Sequence, residues 1–374
     1  MRVSIIGWYG TETLGDRAIL DGIFCVLSKY PKISEVYIGS LFDFYTERTL
    51  SEDRESIKNS LGDKKVRIFD VKDKKRAKQV IAGSDLVMVG GGPLMDLEEL
   101  FILKRCFKIA RHKGIPTIIM GCGIGPLHAD FYKEVVRELL LLSDEICLRD
   151  NESVKAAQKM IQKRDHIYCM GDPAVISIEN YQLHHQRKEK DYVAINFREY
   201  TPGEYGEGFY FDDERIKELL LGLEKDYEQV LLVPMHNFAI GGDDRNFLSR
   251  LTYGLQSEKI KVLHDTKNLY ETYEIFMNAK ACISMRYHSL VIQTILNGNN
   301  FIFDYTDKNT GKIAGFLKDF DPDGFYNDRI LHLREPNHPD VDDIRTILKS
   351  GAVFSYQQTD LPEGYVKMMN QYIK

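Results

Sequence analysis

Short apolar runs alternate with longer amphipathic segments along the chain. The runs at 2–6 (RVSII), 35–39 (EVYIG), 66–70 (VRIFD), 85–89 (DLVMV), 117–121 (TIIMG), 145–148 (EICL) and 167–170 (IYCM) recur at roughly thirty residues, the length of a strand–helix unit. Several are rich in Val, Ile and Met without alternation, the mark of strands covered on both faces. The pattern predicts a parallel, doubly wound sheet. Residues 176–191 (ISIENYQLHHQRKEKD) turn polar and charged and read as a linker that includes His184 and His185. No partner cluster for a metal accompanies those two histidines. A second series then begins at 192–197 (YVAINF) and continues at 229–233, 260–263, 281–285, 301–304 and 329–333. Residues 362–374 read as an amphipathic closing helix. The expected organisation is an α/β chain of two Rossmann-like doubly wound domains, 1–178 and 190–340, followed by a helical tail, 341–374.

Composition narrows the function. The formal net charge of -6 gives no global basic field, so nucleic acid is not an expected partner. The 21 tyrosines and 19 phenylalanines offer sugar-stacking platforms, although most such rings serve packing. None of Cys25, Cys106, Cys122, Cys147, Cys169 and Cys282 forms a Cys-x-x-Cys pair, which argues against a zinc knuckle or dithiol site. Most lie in apolar runs, as reduced cysteines do in a reducing compartment. The N-terminal apolar run breaks at Gly7 and does not read as a signal peptide. The sequence has no 18-residue apolar stretch of the kind that spans a membrane. Together these point to the cytoplasm.

Three glycine-rich turns follow predicted strands. In "GWYGTETLGDRAIL", Gly7, Gly10 and Gly15 do not form a dinucleotide fingerprint, and no P-loop lysine is present. The turn leads into a helix beginning near Asp16, which either caps that helix or touches substrate. Gly90-Gly91-Gly92-Pro93 and the Gly121–Pro126 segment, containing Gly123, are placed in the same way. Ligands of open α/β sheets bind outside the carboxyl ends of the strands, so these turns line the expected rim.

The second half places cationic side chains at equivalent strand ends: Arg198 in "AINFREY", His236 in "LLVPMH", and Arg286 and His288 in "SMRYHSL". Taken singly, Arg198 reads as a salt-bridge partner and His236 as a loop histidine. Arg286 and His288 lie between a buried-looking strand and an apolar helix face. There the helix dipole disfavours imidazolium, whereas a bound dianion favours it. The set suits a small, multiply anionic ligand, because two arginines can each grip a phosphate or carboxylate, with one group able to move a proton.

These pieces in this order resemble the polysaccharide pyruvyl transferase family. Gly10 through Ile19 follows the family's glycine–asparagine–aliphatic–glycine–aspartate pattern, with Thr13 where asparagine is usual and Arg17 where glutamate is common. "GGGPL", "GCGIGP", "LRDNES" at 148–153, "GDPA" at 171–174, the Arg198 strand end, "SMRYHSL" and "KIAGFL" at 312–317 complete the match. "YTDKNTGKIAGFL" is longer than the family's tyrosine-to-lysine spacing.

The resemblance implies a glycosyltransferase-B-like arrangement of the two domains. It also implies transfer of pyruvate from phosphoenolpyruvate to two hydroxyls of a sugar, with a cyclic ketal formed and phosphate released. By the same resemblance, Arg198 and Arg286 hold the donor, the backbone beside Tyr287 assists, and His288 is the acid/base. His236 and Lys312 are further donor-side candidates. Gly10, Asp16, Gly91, Gly92 and Gly123 belong to the acceptor side or to structural turns, with Trp8 or Tyr9 as a stacking surface. No metal or organic cofactor is implied; phosphoenolpyruvate is a co-substrate. A lipid-linked acceptor would bring the enzyme to the inner face of the membrane. Two rival readings are a nucleotide-sugar glycosyltransferase and a non-catalytic sugar- or anion-binding protein. The first would want a carboxylate for the ribose hydroxyls, and residues 286–297 contain no Asp or Glu. The second has no need of a proton donor beside the arginines.

Overall fold

The structure, a computed structural model, describes residues 1–162, 165–200, 210–238, 242–336 and 339–373. The chain divides into two compact units, one of Met1–Glu12, Asp16–Asn180 and Thr359–Lys374, the other of Thr13–Gly15 and Tyr181–Gln358.

The first unit carries β1 (Arg2–Ile6), β2 (Glu35–Ser40), β3 (Lys65–Asp70), β4 (Leu86–Gly90), β5 (Pro93–Leu94), β6 (Thr117–Ile124), β7 (Glu145–Leu148) and β8 (Ile167–Cys169). They lie in the order β3-β2-β1-β4-β6-β7-β8, with β5 beside β6, and every pairing is parallel. The helices between them are α1 (Leu14–Ser28), α2 (Asp43–Glu52), α3 (Arg54–Leu61), α4 (Lys74–Ala82), α5 (Leu100–His112), α6 (Asp130–Leu141), α7 (Asn151–Ile161) and α8 (Pro173–His184). All five residues of β4 are buried, so this strand cannot alternate polar and apolar side chains. Each enclosed Val, Leu or Met adds about 1.5–3 kcal/mol. Burial also pushes the Cys106 and Cys122 thiols up to about 12, in keeping with cysteines that act as small hydrophobes.

The second unit carries β9 (Lys190–Ile195), α9 (Asp213–Asp226), β10 (Gln229–Leu232), α10 (Asp244–Thr252), β11 (Ile260–Val262), α11 (Leu269–Asn278), β12 (Ala279–Ser284), α12 (Tyr287–Leu296), β13 (Asn300–Asp304), α13 (Lys312–Phe320), β14 (Ile330–His332) and α14 (Val341–Lys349). Its sheet runs β11-β10-β9-β12-β13-β14, again all parallel. Helix α12 is buried nearly all round, Ser289, Gln293 and Thr294 included, so it presents no charged, solvent-facing stripe. Phe197, Phe211 and Phe301 meet the ring of Phe303 at centroid distances of 5.0, 5.3 and 5.9 Å. A last helix, α15 (Leu361–Met369), belongs to the first unit.

Every strand expected from the hydrophobic pattern is present, with ends shifted by a few residues. The expected linker at 176–191 is not one, because most of it is helix α8. Two of its polar residues, Ser177 and Glu179, are buried and bonded to partners elsewhere in the chain. Ser177 donates to Asp21 Oδ2 at 2.6 Å, and Glu179 accepts from the backbone N–H of Thr359 at 2.7 Å. Ile176, Ile178 and Tyr181 are buried, and the ring of His185 stacks on Tyr181 at 3.9 Å. The division between the units falls inside this helix, after Asn180. The segment read as one tail from 341 on is also divided, after Gln358.

Asp21 lies on the buried side of α1 at 2% exposure. Burial pushes its carboxyl up to about 7, against hydrogen bonds from Ser177, Ser60 and Ser56. A carboxyl raised above its unfolded value of about 3.9 stabilises fully below that value. The contribution is lost as pH rises through the folded value. The whole effect is on the order of 4 kcal/mol. Asp21→Asn is therefore expected to raise the melting temperature by several degrees at about pH 8 and to match the parent only at about pH 3.5, below the unfolded value. Thermal denaturation followed at both pH values tests this.

Candidate active site

In the second unit the chain order reverses between β9 and β12, the neighbouring central strands. At such a switch point the helices on either side diverge and leave a crevice beyond the strand ends. Arg198 follows β9, and Arg286, Tyr287 and His288 follow β12. His236 follows the adjacent β10, and Tyr305 the adjacent β13.

A buried asparagine sets the spacing of these ends. Asn196 is fully enclosed, so its amide needs partners. Its Nδ2 donates to the Val233 carbonyl beyond β10 at 3.0 Å, and its Oδ1 accepts from the Arg286 backbone N–H at 3.0 Å. The Ser289 hydroxyl lies 2.9 Å from the same Oδ1 and 2.7 Å from the Arg286 carbonyl. One side chain thus ties three strand ends together.

Asp244 supplies the second tie. Its carboxylate receives Arg286 Nε at 2.8 Å and Nη2 at 2.5 Å. Its Oδ2 also accepts from the backbone N–H groups of Met235 and His236, both at 3.1 Å. The Asp244 side chain is 2% exposed and that of Arg286 19%. Arg286, expected to grip an anionic ligand with its full fork, gives one edge to Asp244; the opposite edge carries further N–H donors. His236, expected beside the donor, is 6% exposed. Its backbone bridges to Thr13, next to a 3.0 Å bond from the Leu14 N–H to the Met235 carbonyl.

The remaining cations gather around Tyr305. The Arg198 guanidinium lies 5.2 Å from the ring centroid and Lys312 Nζ 5.4 Å, both within cation–π reach. Burial pushes the Tyr305 phenol up. Lys312, Arg198 and Arg286 outweigh burial and hold it below its usual range.

His288 is the second residue of α12, in the first turn as expected. The ring of Tyr287 meets it edge-on at 5.0 Å. A Cβ added at Gly15 would lie 1.9 Å from His288 Nδ1, so the imidazole occupies the space that any other residue at 15 would fill.

In the first unit the expected rim glycines are met by the protein itself. Gly92, at φ +70°, faces Trp8, whose Cδ1 would stand 1.9 Å from an added Cβ. Gly91 faces Ile19, Gly123 the Arg149 guanidinium, and Gly10 the backbone of Phe42. Chain packing accounts for glycine at each position and favours the turn-forming reading. Asp16 does not cap the helix: α1 begins at Leu14 and Asp16 lies within its first turn, where an acid favours the helix dipole. Its Oδ2 lies 3.3 Å from the Thr11 hydroxyl.

The sequence reading passed over three residues. Tyr305 follows directly from the strand-end rule that found Arg198 and Arg286, had the rule been carried on to β13. Asp244 shares its buried helix face with Phe247, Leu248 and Leu251, an i, i+3, i+4, i+7 pattern with an acid in first place. Asn196 is a polar residue at the end of an apolar run. Among the described residues no group of three or more His, Cys, Asp or Glu is arranged to hold a metal ion.

A family model described as polysaccharide pyruvyl transferase matches residues 14–308. Among solved structures, UDP-GlcNAc 2-epimerase from Neisseria meningitidis, bound to UDP-GlcNAc, aligns with a TM-score of 0.58 at 12% identity, covering 100% of this chain and 99% of that one. UDP-GlcNAc 2-epimerase from Methanocaldococcus jannaschii aligns with a TM-score of 0.61 at 11% identity, covering 99% and 100%. At these identities the likeness is one of fold: two parallel-sheet α/β domains, as expected from the sequence. No curated protein matches the sequence.

Removing one partner of the Asp244–Arg286 pair strands a charge in a largely dry setting, which costs about 3–5 kcal/mol. Asp244→Ala is expected to lower the stability of the second unit by that order in urea denaturation. Leu251→Ala, on the same helix face, serves as a packing control for ordinary cavity loss.

Proposed function

The chain belongs to the polysaccharide pyruvyl transferase family, and from that premise and the cationic rim of the second unit we infer that it moves pyruvate from phosphoenolpyruvate onto two hydroxyls of a sugar, closing a cyclic ketal and releasing phosphate. The observation that carries this reading is the placing of Arg198 and Arg286 at the sheet's switch point, with Lys312 and Arg198 both near the ring of Tyr305 beyond the adjacent strand and His288 two residues from Arg286. Phosphoenolpyruvate presents a phosphate and a carboxylate on one three-carbon frame, and planar guanidinium groups match both.

The proton count defines what His288 must do. Protonating the donor's methylene carbon makes a methyl group and an oxocarbenium-like centre. The first sugar hydroxyl forms a C–O bond there, and the second forms another as the bond to phosphate oxygen breaks. The two hydroxyl protons are thereby accounted for: one reaches the new methyl group and the other leaves on phosphate. His288 delivers the first and accepts from the attacking hydroxyl. Arg198, Lys312 and the outer edge of Arg286 stabilise the charge on the departing phosphate. His236 and the backbone beside Tyr287 complete the donor side. The proposed acceptor is a sugar of a polysaccharide or of its lipid-linked precursor. A lipid-linked acceptor would draw the protein to the inner membrane face, and no helix of the described residues is long and apolar enough to cross a membrane.

Incubation with phosphoenolpyruvate and cell-derived glycans, read by phosphate release and glycan mass, tests the reaction. Ketal-bearing glycan is expected. Binding of UDP-GlcNAc without any binding of phosphoenolpyruvate would instead favour a nucleotide-sugar transferase. His288→Gln is expected to lower turnover roughly 10²- to 10⁴-fold; a loss of only a few-fold would remove His288 from the acid/base role. Gly15→Ala displaces the ring without touching its chemistry. A misplacement on the order of 1 Å costs roughly 10²-fold, and steady-state kinetics of a folded Gly15→Ala protein should show a loss of that order.

A further inference from the structure

Residues 72–78 hold five cations, Lys72, Lys74, Lys75, Arg76 and Lys78, against one acid, in a chain of net charge -6. All five are exposed. Among the described residues none of their side chains has an ion pair or a hydrogen bond. The nearest carboxylates in the chain are taken up by backbone. Asp70 Oδ1 accepts from the N–H groups of Lys72 and Asp73 at 2.7 and 3.3 Å. Asp73 Oδ1 accepts from those of Lys75 and Arg76 at 2.9 and 3.1 Å, capping α4. Exposed aromatic rings from the turn after β2 stand beside these cations. Phe42 is 39% exposed and Phe44 72%, and Lys72 Nζ lies 3.5 Å from the Phe42 ring centroid, within cation–π reach. A lone exposed phenylalanine is ordinary; two beside five unpaired cations make an amphipathic surface. Strands β2 and β3 are neighbours in an all-parallel sheet, so the turns after them stand at the same end as the glycine turns after β1, β4 and β6. The connection is direct: the Leu41 N–H donates to the Tyr9 carbonyl at 2.9 Å, and Gly10 packs on the backbone of Phe42.

We propose that this surface docks the first unit on an anionic lipid membrane, with Phe42 and Phe44 entering the headgroup layer and the cations of residues 72–78 meeting its phosphates. The membrane then presents a lipid-linked acceptor to the rim of glycine turns; that consequence rests on the acceptor reading above, whereas the docking itself does not. An anionic leaflet attracts clustered cations, and its interface takes up apolar rings. A soluble polyanion attracts the cations equally but gives the Phe44 ring no apolar layer to enter. Because the chain as a whole is acidic, the attraction is local to this patch and fixes which side of the protein faces the lipid.

Co-sedimentation with lipid vesicles tests this. Binding is expected to vesicles of phosphatidylcholine and phosphatidylglycerol in equal amounts. It should fall steeply with added salt and on vesicles of phosphatidylcholine alone. Each cation removed near an anionic surface weakens binding about fivefold, so Lys72→Ala, Lys74→Ala and Lys75→Ala together should weaken it roughly 100-fold. Phe44→Ser should weaken it roughly tenfold at unchanged charge. These positions are exposed, and the cap of α4 uses backbone N–H groups, so melting temperatures should match the parent's, as should turnover on a water-soluble glycan fragment. Absence of vesicle binding by the parent, or binding that either the lysine substitutions or Phe44→Ser leave unchanged, would overturn the proposal. So would retention on polyphosphate without binding to vesicles, which would make the surface a polyanion site. Vesicle binding needs no phosphoenolpyruvate, so a protein that docks yet forms no ketal refutes the proposed reaction and leaves the docking surface standing.

Discussion

The candidate site depends on the buried carboxylate of Asp244. It joins the side chain of Arg286 to the backbone of Met235 and His236, so the turns after β10 and β12 cannot drift apart without stranding a charge. Asn196 makes the same connection through neutral groups, from Val233 to Arg286. Parallel strands are hydrogen-bonded only along their paired lengths, and the turns beyond them would otherwise be free to splay. Two buried polar side chains extend the order of the sheet a few residues past its edge, where chemistry needs fixed geometry. Partners for nearly all their polar atoms keep such groups tolerable in a dry setting.

The electrostatics of the rim follow from this division of labour. Asp244 compensates part of Arg286's charge, so Arg286 can lie mostly buried. Arg198 and Lys312 are half-buried, and both lie near the ring of Tyr305. The cluster is thereby assembled, the condition for electrostatic preorganisation.

The sheets were legible in the sequence because strands such as LVMVG and ACIS are buried on both faces and announce themselves as unbroken apolar runs. Arg198, Arg286 and His288 were legible because strand ends follow once strands are known. The helix at the start of 176–191 was missed because its polar residues were read with the exposed ones that follow. Ser177 and Glu179 are polar and buried, and only their tertiary partners, Asp21 and Thr359, reveal it. Asn196 and Asp244 were passed over for the same reason: a buried polar residue is defined by what it bonds, and the bonds cross from one strand end to another. The glycine turns were read as acceptor-side or structural turns. Close approach was inferred correctly, but what approaches Gly91, Gly92 and Gly123 is Ile19, Trp8 and Arg149.

Gly15 shows how a missing side chain can belong to a site. The sequence reading treated it as one more turn glycine, yet its φ is not in the left-handed region, so backbone freedom does not explain it. The His288 ring does, since Nδ1 takes the volume of the missing Cβ. The residues Thr13 to Gly15 are grouped with the second unit although their neighbours on both sides belong to the first, and their contacts with Met235, His236 and His288 are the reason. A general acid or base acts only from the right place. The imidazole's place is set by the N-terminal turn of α12 beneath it, by the edge of Tyr287 beside it, and by a glycine far away in sequence that makes room for it.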